Sequence, residues 1–366
     1  MNDGATAKVS VDEKRGKRPK SATIKDVAAE AGVSLQTVSR VINKGPNVRP
    51  AIVERVNAAI EKLGYVPSLA ARRMAGKRSY LLLALNDRDR TIEGWRSGDG
   101  TDWVDQMLLG GMLECAKHGY RMIFELVDTH SSNVERELTS ALGAIHPDGV
   151  ILTPPHGDNP IIRHLLTEKH IPFARIGSAG PGPGFAIAMD DAAAAAAAVN
   201  HLVALGHRRI AYITGSDEYA LSAARLKGYR DAMAKAGLGA DDSLVARGDF
   251  TYQSGIESAQ RLLALADRPT AIVASGDQMS LAALEVANSE GFSVPDDLSI
   301  VSFDNTPIVK FSAPSFTAIR QPISEMTARA AQLLINGGKT DRESGPDILP
   351  FDLIVRGSTA PPPQRA

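Results

Sequence analysis

The chain has 366 residues, 43% hydrophobic and 23% charged, which excludes disorder throughout and predicts one small domain plus a core of about two ordinary domains. Its formal net charge of −1 hides an asymmetry: residues 1–80 carry 16 Lys and Arg against 7 Asp and Glu, whereas the rest carries 25 against 35. A basic head on an acidic body predicts that the head binds a polyanion.

Cysteine content and hydrophobic runs limit the location of the protein. The single cysteine, Cys115, lies in an apolar-periodic stretch and is predicted to be a reduced core residue. There is no run of about 18 apolar residues for a membrane span, and the first twenty residues lack the apolar segment of a secretory signal. We therefore expect a cytoplasmic protein with no membrane partner.

The N-terminal part predicts an arm followed by a small helical domain. Residues 1–20 are polar and basic without apolar periodicity, which indicates a flexible arm. Residues 21–66 predict three short helices. A capping box begins the first at Thr23, a polar cap begins the second at Ser34, and Pro50 opens the third. We expect these helices to form one compact DNA-binding domain.

Residues 67–79 are predicted to link this domain to the rest of the chain. Within them, residues 67–76 allow a helix of only two turns, capped by Ser68 and ended by Gly76. A helix of that length is marginal in water, so we expect a disordered linker until a partner organises it.

From Tyr80 onwards, apolar or β-branched runs alternate with amphipathic stretches, which predicts parallel sheets covered by helices on both faces. The predicted strands are residues 81–85, 122–127, 149–152, 173–176, 210–214, 271–274 and 299–303. Residues 80–366 are too many for a single sheet of ordinary size. We therefore expect an α/β fold of two doubly wound lobes, with a ligand cleft at the carboxyl ends of the strands. The lobe crossovers are expected near residues 187–190, 318–322 and 345–350.

The strongest motif is residues 23–43, a helix, a tight turn at Gly32 and a second helix headed by short polar side chains. This is the geometry that lays a second helix into the DNA major groove, although an ordinary helical corner has the same outline. Joined to the next forty residues, the motif closely resembles the LacI/GalR family. The resemblance covers residues 23–66, the hinge at 67–76 and a sensor from Tyr80 to about Arg356.

This resemblance implies a sequence-specific transcription regulator, most often a repressor, whose sensor half is similar to periplasmic sugar-binding proteins. It implies that Leu35 and Gln36 choose the operator and that Arg40 reads a base, since an arginine contact to guanine contributes about 1–3 kcal/mol of discrimination. Contacts that set the register on phosphates are implied for Thr23, Ser34, Thr37, Ser39 and Asn43.

In the family the hinge folds on DNA, pairs with its copy from a second subunit and inserts an apolar wedge, usually leucine, into the minor groove. Met74 takes that position here, and its softer side chain should specify the base step less sharply. Ala71 would face the partner hinge, while Ser68 and Arg72 would lie beside phosphates. The alternative is that Met74 only packs under the sensor. Paired hinges require a homodimer on a pseudo-palindromic operator, and the tail after Arg356 has no heptads for a tetramerising coil.

In the sensor, the resemblance makes Arg225 and Asp304 the leading effector-binding residues, since a cation and an anion can each bind two adjacent hydroxyl groups. A structural Arg–Asp bridge is the alternative. Aromatic side chains would offer stacking faces to a sugar, and further carboxylates would complete the walls. These additional candidates are Trp103, Asp158, Phe250 and Asp277.

Two departures from the family limit this transfer. Gly276 stands where the family commonly has an asparagine that binds the ligand, and residues 87–102 form a longer, polar insertion at the expected cleft. Both indicate a ligand larger than, or different from, a simple monosaccharide. A carbohydrate that releases the repressor from DNA is the main expectation, and a nucleobase or other metabolite that acts as a corepressor is the alternative.

Two other classes of protein are less well supported. An enzyme is not expected, because the sequence has no Walker phosphate loop, dinucleotide fingerprint, His/Cys metal cluster or nucleophile elbow, and no cofactor is expected. A sugar-transport binding protein would match residues 80–356, but the helical DNA-binding head argues against that class.

Overall fold

The structure is a computed structural model that describes residues 22–42, 45–66, 78–98, 102–239, 241–337 and 345–363. These residues form two compact units, divided between Arg78 and Ser79. The predicted arm at residues 1–20 and the hinge at residues 67–77 lie outside the described residues. None of the described helices is both long and apolar enough to cross a membrane.

The N-terminal unit contains three helices, α1 (Ile24–Ala31), α2 (Leu35–Ile42) and α3 (Pro50–Leu63). The predicted capping box at the start of α1 is present, because the Thr23 side chain accepts from the Asp26 amide and the Asp26 carboxylate accepts from Thr23. Gly32 ends α1 in the left-handed conformation, with φ of 60°. Apolar side chains from all three helices meet in one small core that includes Val27, Val38 and Val56.

The C-terminal unit has two lobes, each built on a six-stranded sheet with helices on both faces. The strands of the first sheet are β1 (Leu81–Asp87), β2 (Arg121–Val127), β3 (Gly149–Leu152), β4 (Phe173–Ile176), β5 (Phe185–Met189) and β11 (Asp347–Leu349). They have the order β11-β5-β4-β3-β1-β2, and all neighbouring pairs are parallel. Its helices are α4 (Arg88–Ser97), α5 (Asp102–Lys117), α6 (Val134–Ile145), α7 (Pro160–Glu168) and α13 (Ile323–Ile335), with a short 3₁₀ turn at His156–Asp158.

The strands of the second sheet are β6 (Ile210–Ile213), β7 (Val245–Ala246), β8 (Ala271–Ala274), β9 (Ser299–Asp304), β10 (Thr317–Arg320) and β12 (Asp352–Ile354). They have the order β12-β10-β9-β8-β6-β7, and among these pairs only the edge pair β12–β10 is antiparallel. Its helices are α8 (Asp191–Ala204), α9 (Ala220–Lys235), α10 (Tyr252–Leu263), α11 (Asp277–Ser289) and α12 (Pro307–Phe311), with a 3₁₀ turn at Asp242–Leu244.

The chain passes between the lobes three times, after β5, after β10 and after β11. Helix α13 follows a strand of the second sheet but packs on the first, where Ile323 and Met326 join Leu82 and Ile151 in one core. The predicted class, α/β with two parallel-dominated sheets and a helical head, is confirmed. Because parallel strands share the direction of their carboxyl ends, several loops converge on one cleft between the lobes.

Candidate functional site

Helix α2 has the exposure pattern of a DNA-reading helix. Its inner face is anchored by Val38, which is completely buried, while Leu35, Gln36 and Arg40 are exposed. The Ser34 hydroxyl accepts the Thr37 amide across 3.2 Å and so begins the helix as predicted. The helix therefore presents its first turn and Arg40 outwards, as base reading requires.

Four of the remaining predicted DNA contacts lie in the described part of the chain. Thr23 and Ser34 are exposed beside the ends of α1 and α2, whereas Thr37 and Ser39 are half-buried. The others lie outside the described residues and stay predictions: Asn43, Ser68, Ala71, Arg72 and Met74.

A cavity of about 500 Å³ lies between the two lobes of the C-terminal unit. Five of the predicted effector residues line it: Trp103, Arg225, Phe250, Asp277 and Asp304. Its wall also includes Asn86, Asp87, Arg90, Thr91, Glu93, Asp102, Asp191, Tyr219, Asp249, Gly276, Thr306 and Gln321. Asp87 ends β1 and Asp304 ends β9, so the cavity occupies the predicted edge of both sheets.

Arg225 is held on the second-lobe side of the cavity by protein groups. Its Nε donates to Asp191 Oδ1 across 2.7 Å, its Nη1 donates to the Ser275 carbonyl across 2.9 Å, and its guanidinium lies 4.2 Å from the centre of the Phe303 ring. Burial raises the pKa of Asp191, and the nearby Arg225 charge opposes that rise. Arg225 therefore joins α9 to the start of α8. It also lines the cavity.

Asp277 connects the start of α11 to the end of β9. Its carboxylate accepts the Ser302 hydroxyl, the Thr306 amide at 2.7 Å and the Thr306 hydroxyl at 2.7 Å. Burial, followed by the charge of Asp304, raises the pKa of Asp277 to about 8. Because its oxygens already accept three protein donors, Asp277 has little capacity left for a ligand.

Asp304 leaves β9 in the left-handed region, with φ of 89°, and Asn305 follows with φ of 59°. Such strain in non-glycine residues is concentrated at functional sites. The Asp304 Oδ1 accepts from the Gln321 side chain, and its Oδ2 lies beside Gly276. Burial raises the pKa of Asp304, and the Arg225 charge lowers it. Its carboxyl is therefore placed to accept or donate hydrogen bonds in the cavity.

Phe250 is held in an unusual position by its neighbours. Its φ is 74°, and its ring lies so close to Gly215 that a Cβ there would be 1.9 Å from Phe250 Cζ. The ring packs edge-on against Tyr219, with 5.4 Å between the ring centres. The Arg90 guanidinium of α4 lies 5.1 Å from the centre of the Phe250 ring. An aromatic wall therefore stands at a fixed place in the cleft.

Two polar contacts join the lobes at this side of the cleft. Arg90 Nη1 donates to the Asp249 carbonyl across 2.8 Å, and His130 Nε2 lies 2.8 Å from Glu218 Oε1. The hydrogen bond to Glu218 raises the pKa of His130. The polar insertion at residues 87–102 folds partly as α4, which contains Arg90. Thr91 and Glu93 of the same helix also line the cavity.

Asp158 lies outside the residues that line the cavity. It belongs to the 3₁₀ turn after β3, and its Oδ1 accepts the Ser178 hydroxyl across 2.5 Å. Ser178 accepts in turn from Arg175, which is 1% exposed and also donates to the Gly180 carbonyl. Asp158 therefore belongs to a polar network that supports the loop after β4.

Reasoning from the sequence missed several cavity residues. Arg90 lies in a polar stretch that has no strand or helix signature of its own. Asp191 lies in the first turn of α8, where an acidic residue is favoured by the helix dipole alone. Tyr219 and Gln321 lie in connections between elements, where side-chain direction cannot be derived from periodicity. In the described part of the chain, no group of three or more His, Cys, Asp or Glu residues is arranged to hold a metal ion.

A helix–turn–helix unit and a two-lobed α/β unit with a polar, aromatic cavity at its strand ends define the class of ligand-responsive DNA-binding regulators. Comparison with family models agrees with this class. The model of bacterial regulatory proteins of the lacI family matches residues 23–68, and that of a periplasmic binding protein-like domain matches residues 199–359.

The chain belongs to the LacI family of transcription regulators, which confirms the resemblance seen in its sequence. It is 34% identical over 348 residues to the HTH-type transcriptional regulator CelR of Thermobifida fusca, which covers 93% of this chain and 96% of that protein. It is 32% identical over 351 residues to the HTH-type transcriptional repressor CytR of Escherichia coli (strain K12), covering 94% and 98% of the two chains.

Solved structures give the same relationship. A CelR–cellobiose complex matches with a TM-score of 0.68 and 32% identity, covering 92% of this chain and 99% of that one. The lac repressor dimer bound to operator and the anti-inducer ONPF matches with a TM-score of 0.74 and 26% identity, covering 93% and 100%.

Proposed function

We propose that this chain is a homodimeric repressor that acts in the cytoplasm, binds a pseudo-palindromic operator through α2 and the hinge, and is released by an uncharged carbohydrate. It is not an enzyme in this proposal. The observation that carries it is the cavity between the lobes, where carboxylates and aromatic rings face a space large enough for a sugar. The CelR–cellobiose complex supports the carbohydrate class.

The charge of the cavity supports an uncharged ligand. Its acidic residues are Asp87, Glu93, Asp102, Asp191, Asp249, Asp277 and Asp304. Its cations are Arg90 and Arg225, and both already bind protein groups. Burial raises the pKa of Asp191, Asp277 and Asp304, so these three are not counted as charges. The other four acidic residues still outnumber the two guanidinium groups, so a phosphate or carboxylate on the ligand would be repelled, whereas hydroxyl donors would find acceptors.

An exposed apolar face on α5 supports the homodimer. Leu109, Met112 and Leu113 follow one another at helical spacing, and each is about half exposed. Large apolar side chains grouped on one surface mark a protein–protein contact. The lac repressor match is itself a dimer on its operator. In this proposal α5 pairs with its copy and so brings two hinges together.

The switch follows from the cost of ordering the hinge. Folding residues 67–76 costs conformational entropy, and only a pair of hinges on DNA offsets that cost. A ligand that binds groups of both lobes changes their relative position. Separation of the hinges then weakens operator binding more than non-specific binding.

Two measurements test this function. Selection of genomic fragments by the purified chain should return a pseudo-palindromic site, and titration of that complex with neutral sugars and with purines should find one sugar that releases the DNA. Recovery of no specific fragment would overturn operator recognition. Binding of hypoxanthine but of no sugar would replace the carbohydrate by the nucleobase alternative.

A further inference from the structure

We propose that Gly276 sets the size of the effector, because its missing side chain opens a subsite between Phe250 and Asp304 that holds the second ring of a neutral disaccharide. This inference rests on the proposed carbohydrate effector. Gly276 immediately precedes α11 and lines the cavity.

The backbone at Gly276 does not require glycine. Its φ of −166° and ψ of 158° are extended and open to any residue, and the position is the N-cap of α11, where Asn, Asp and Ser are preferred. Glycine makes no side-chain cap there. Neither local conformation nor helix capping therefore explains the residue.

Packing against the protein does not require glycine either. A Cβ on Gly276 would lie 3.4 Å from Phe250 Cδ1, 3.6 Å from Asp304 Oδ2 and 3.7 Å from Met279 Cε, all tolerable contacts. At Gly215 the same atom would lie 1.9 Å from Phe250 Cζ. Gly215 is thus glycine for packing reasons, whereas the space kept free by Gly276 belongs to the cavity.

The chemistry around that space suits a sugar ring. The Phe250 ring offers an apolar surface to C–H groups, and Asp304 Oδ2 offers an acceptor to a hydroxyl. An asparagine at position 276 would fill the gap between them with its own amide. Trp103 and α4 line the same cavity, whose total volume of about 500 Å³ is in the range of small-molecule sites.

The test compares Gly276→Asn and Gly276→Ala with the wild type. Isothermal titration would use cellobiose, maltose and lactose together with glucose and galactose, and the readout is the ratio of disaccharide to monosaccharide affinity. We expect this ratio to fall about tenfold or more in Gly276→Asn, and less in Gly276→Ala, because groups of methylene size contribute about that much discrimination. A matched control is Gly143→Ala, since Gly143 is exposed in α6 and its Cβ would meet nothing within 4 Å.

The outcomes separate the inference from the proposed function. An unchanged ratio in both variants, while the wild type binds a sugar, would overturn the role of Gly276 and leave the proposed function standing. Failure of every sugar to bind the wild type would overturn the carbohydrate effector and this inference with it. Operator binding without ligand should be unchanged in the control Gly143→Ala. If the asparagine variant does not fold, an unchanged ratio in Gly276→Ala alone would overturn the role of Gly276.

Discussion

The Nε of Arg225 donates to Oδ1 of Asp191 across 2.7 Å, and both side chains are almost completely buried. Asp191 begins α8 directly after the chain has crossed from the first lobe, and Arg225 lies in α9. Arg225, which the family resemblance assigns to the effector site, therefore also joins α9 to α8 inside the second lobe.

Replacement of Arg225 by alanine should destabilise the sensor. The change leaves Asp191 buried without its cation, which typically costs about 3–5 kcal/mol, and urea unfolding would measure the loss. The double variant with Asp191→Asn should lose less than the sum of the single variants, because the two side chains share one interaction. Wild-type stability of Arg225→Ala together with loss of the ligand response would show that Arg225 acts on the ligand alone.

The carboxyl pair Asp277 and Asp304 should make stability fall as pH rises. An ordinary aspartate has a pKa near 4, whereas burial and mutual repulsion raise that of Asp277 to about 8. Between those values the folded chain keeps a proton that the unfolded chain has lost, so the free energy of unfolding decreases with pH and levels off above about 8.

Asp304→Asn should reduce the fall in the free energy of unfolding across this pH window by roughly 1 kcal/mol or more, because it removes the charge that repels Asp277. Urea unfolding midpoints at several pH values across the window would show the change. The hydrogen bond to Glu218 raises the pKa of His130, so this residue also makes stability fall as pH rises, and both proteins should therefore carry His130→Asn. An equal slope in the two proteins would show that the charge of Asp304 does not raise the pKa of Asp277. Asp217→Asn serves as the exposed control.

Gly215→Ala should displace the aromatic wall of the cavity. The added carbon would overlap the Phe250 ring, so the ring must leave Tyr219 and Arg90 at a cost of about 1–3 kcal/mol. We expect sugar affinity to fall with it in calorimetric titration. Gly143→Ala should instead stabilise the chain by about 0.5–1 kcal/mol, as expected for an exposed helix interior. Undiminished affinity in Gly215→Ala would exclude Phe250 from the ligand site.

Arg40→Ala should weaken operator binding by about 1–3 kcal/mol and relax the preference at one base pair, as expected for a base-reading arginine. Binding of a set of operators mutated at single positions would measure both effects by fluorescence anisotropy. Lys62→Ala is the control in the same domain, because Lys62 is paired with Glu30 at 2.7 Å. A uniform loss over all sequences would make Arg40 a phosphate contact.

Met74→Ala should reduce operator affinity much more than affinity for random DNA, since a minor-groove wedge acts only at the correct site. The ratio of the two dissociation constants at one salt concentration is the measurement. Equal losses on both DNAs would support the alternative in which Met74 only packs under the sensor.

Much of the fold was predictable because local signals and tertiary structure agree. Thr23, Gly32, Ser34 and Pro50 each mark a helix end for a reason of backbone chemistry that operates within a few residues. Long apolar runs such as β1 are buried on both faces, so they stand out in the sequence.

Sequence reasoning missed the described strands β5, β7, β10, β11 and β12. Of these, β5 and β10 lie inside their sheets, where residues 187–190 and 318–322 were expected to be lobe crossovers. The other three lie at sheet edges and are very short. The strand β7 has two residues, and β11 and β12 have three each. They add little apolar periodicity, and their pairing is decided by neighbours far along the chain. The same reason hid Asp191, whose partner is 34 residues away. Arg90 was hidden because its contact depends on how two lobes meet.

The three crossings between the lobes have a consequence for synthesis on the ribosome. The first lobe cannot close its core until α13 has been made, and its sheet gains the edge strand β11 only near the end of the chain. The second lobe receives its own edge strand, β12, only after that. A nascent chain stopped before Ile323 would therefore expose the part of the first sheet that α13 covers, which would make late ribosome stalling an aggregation hazard for this protein.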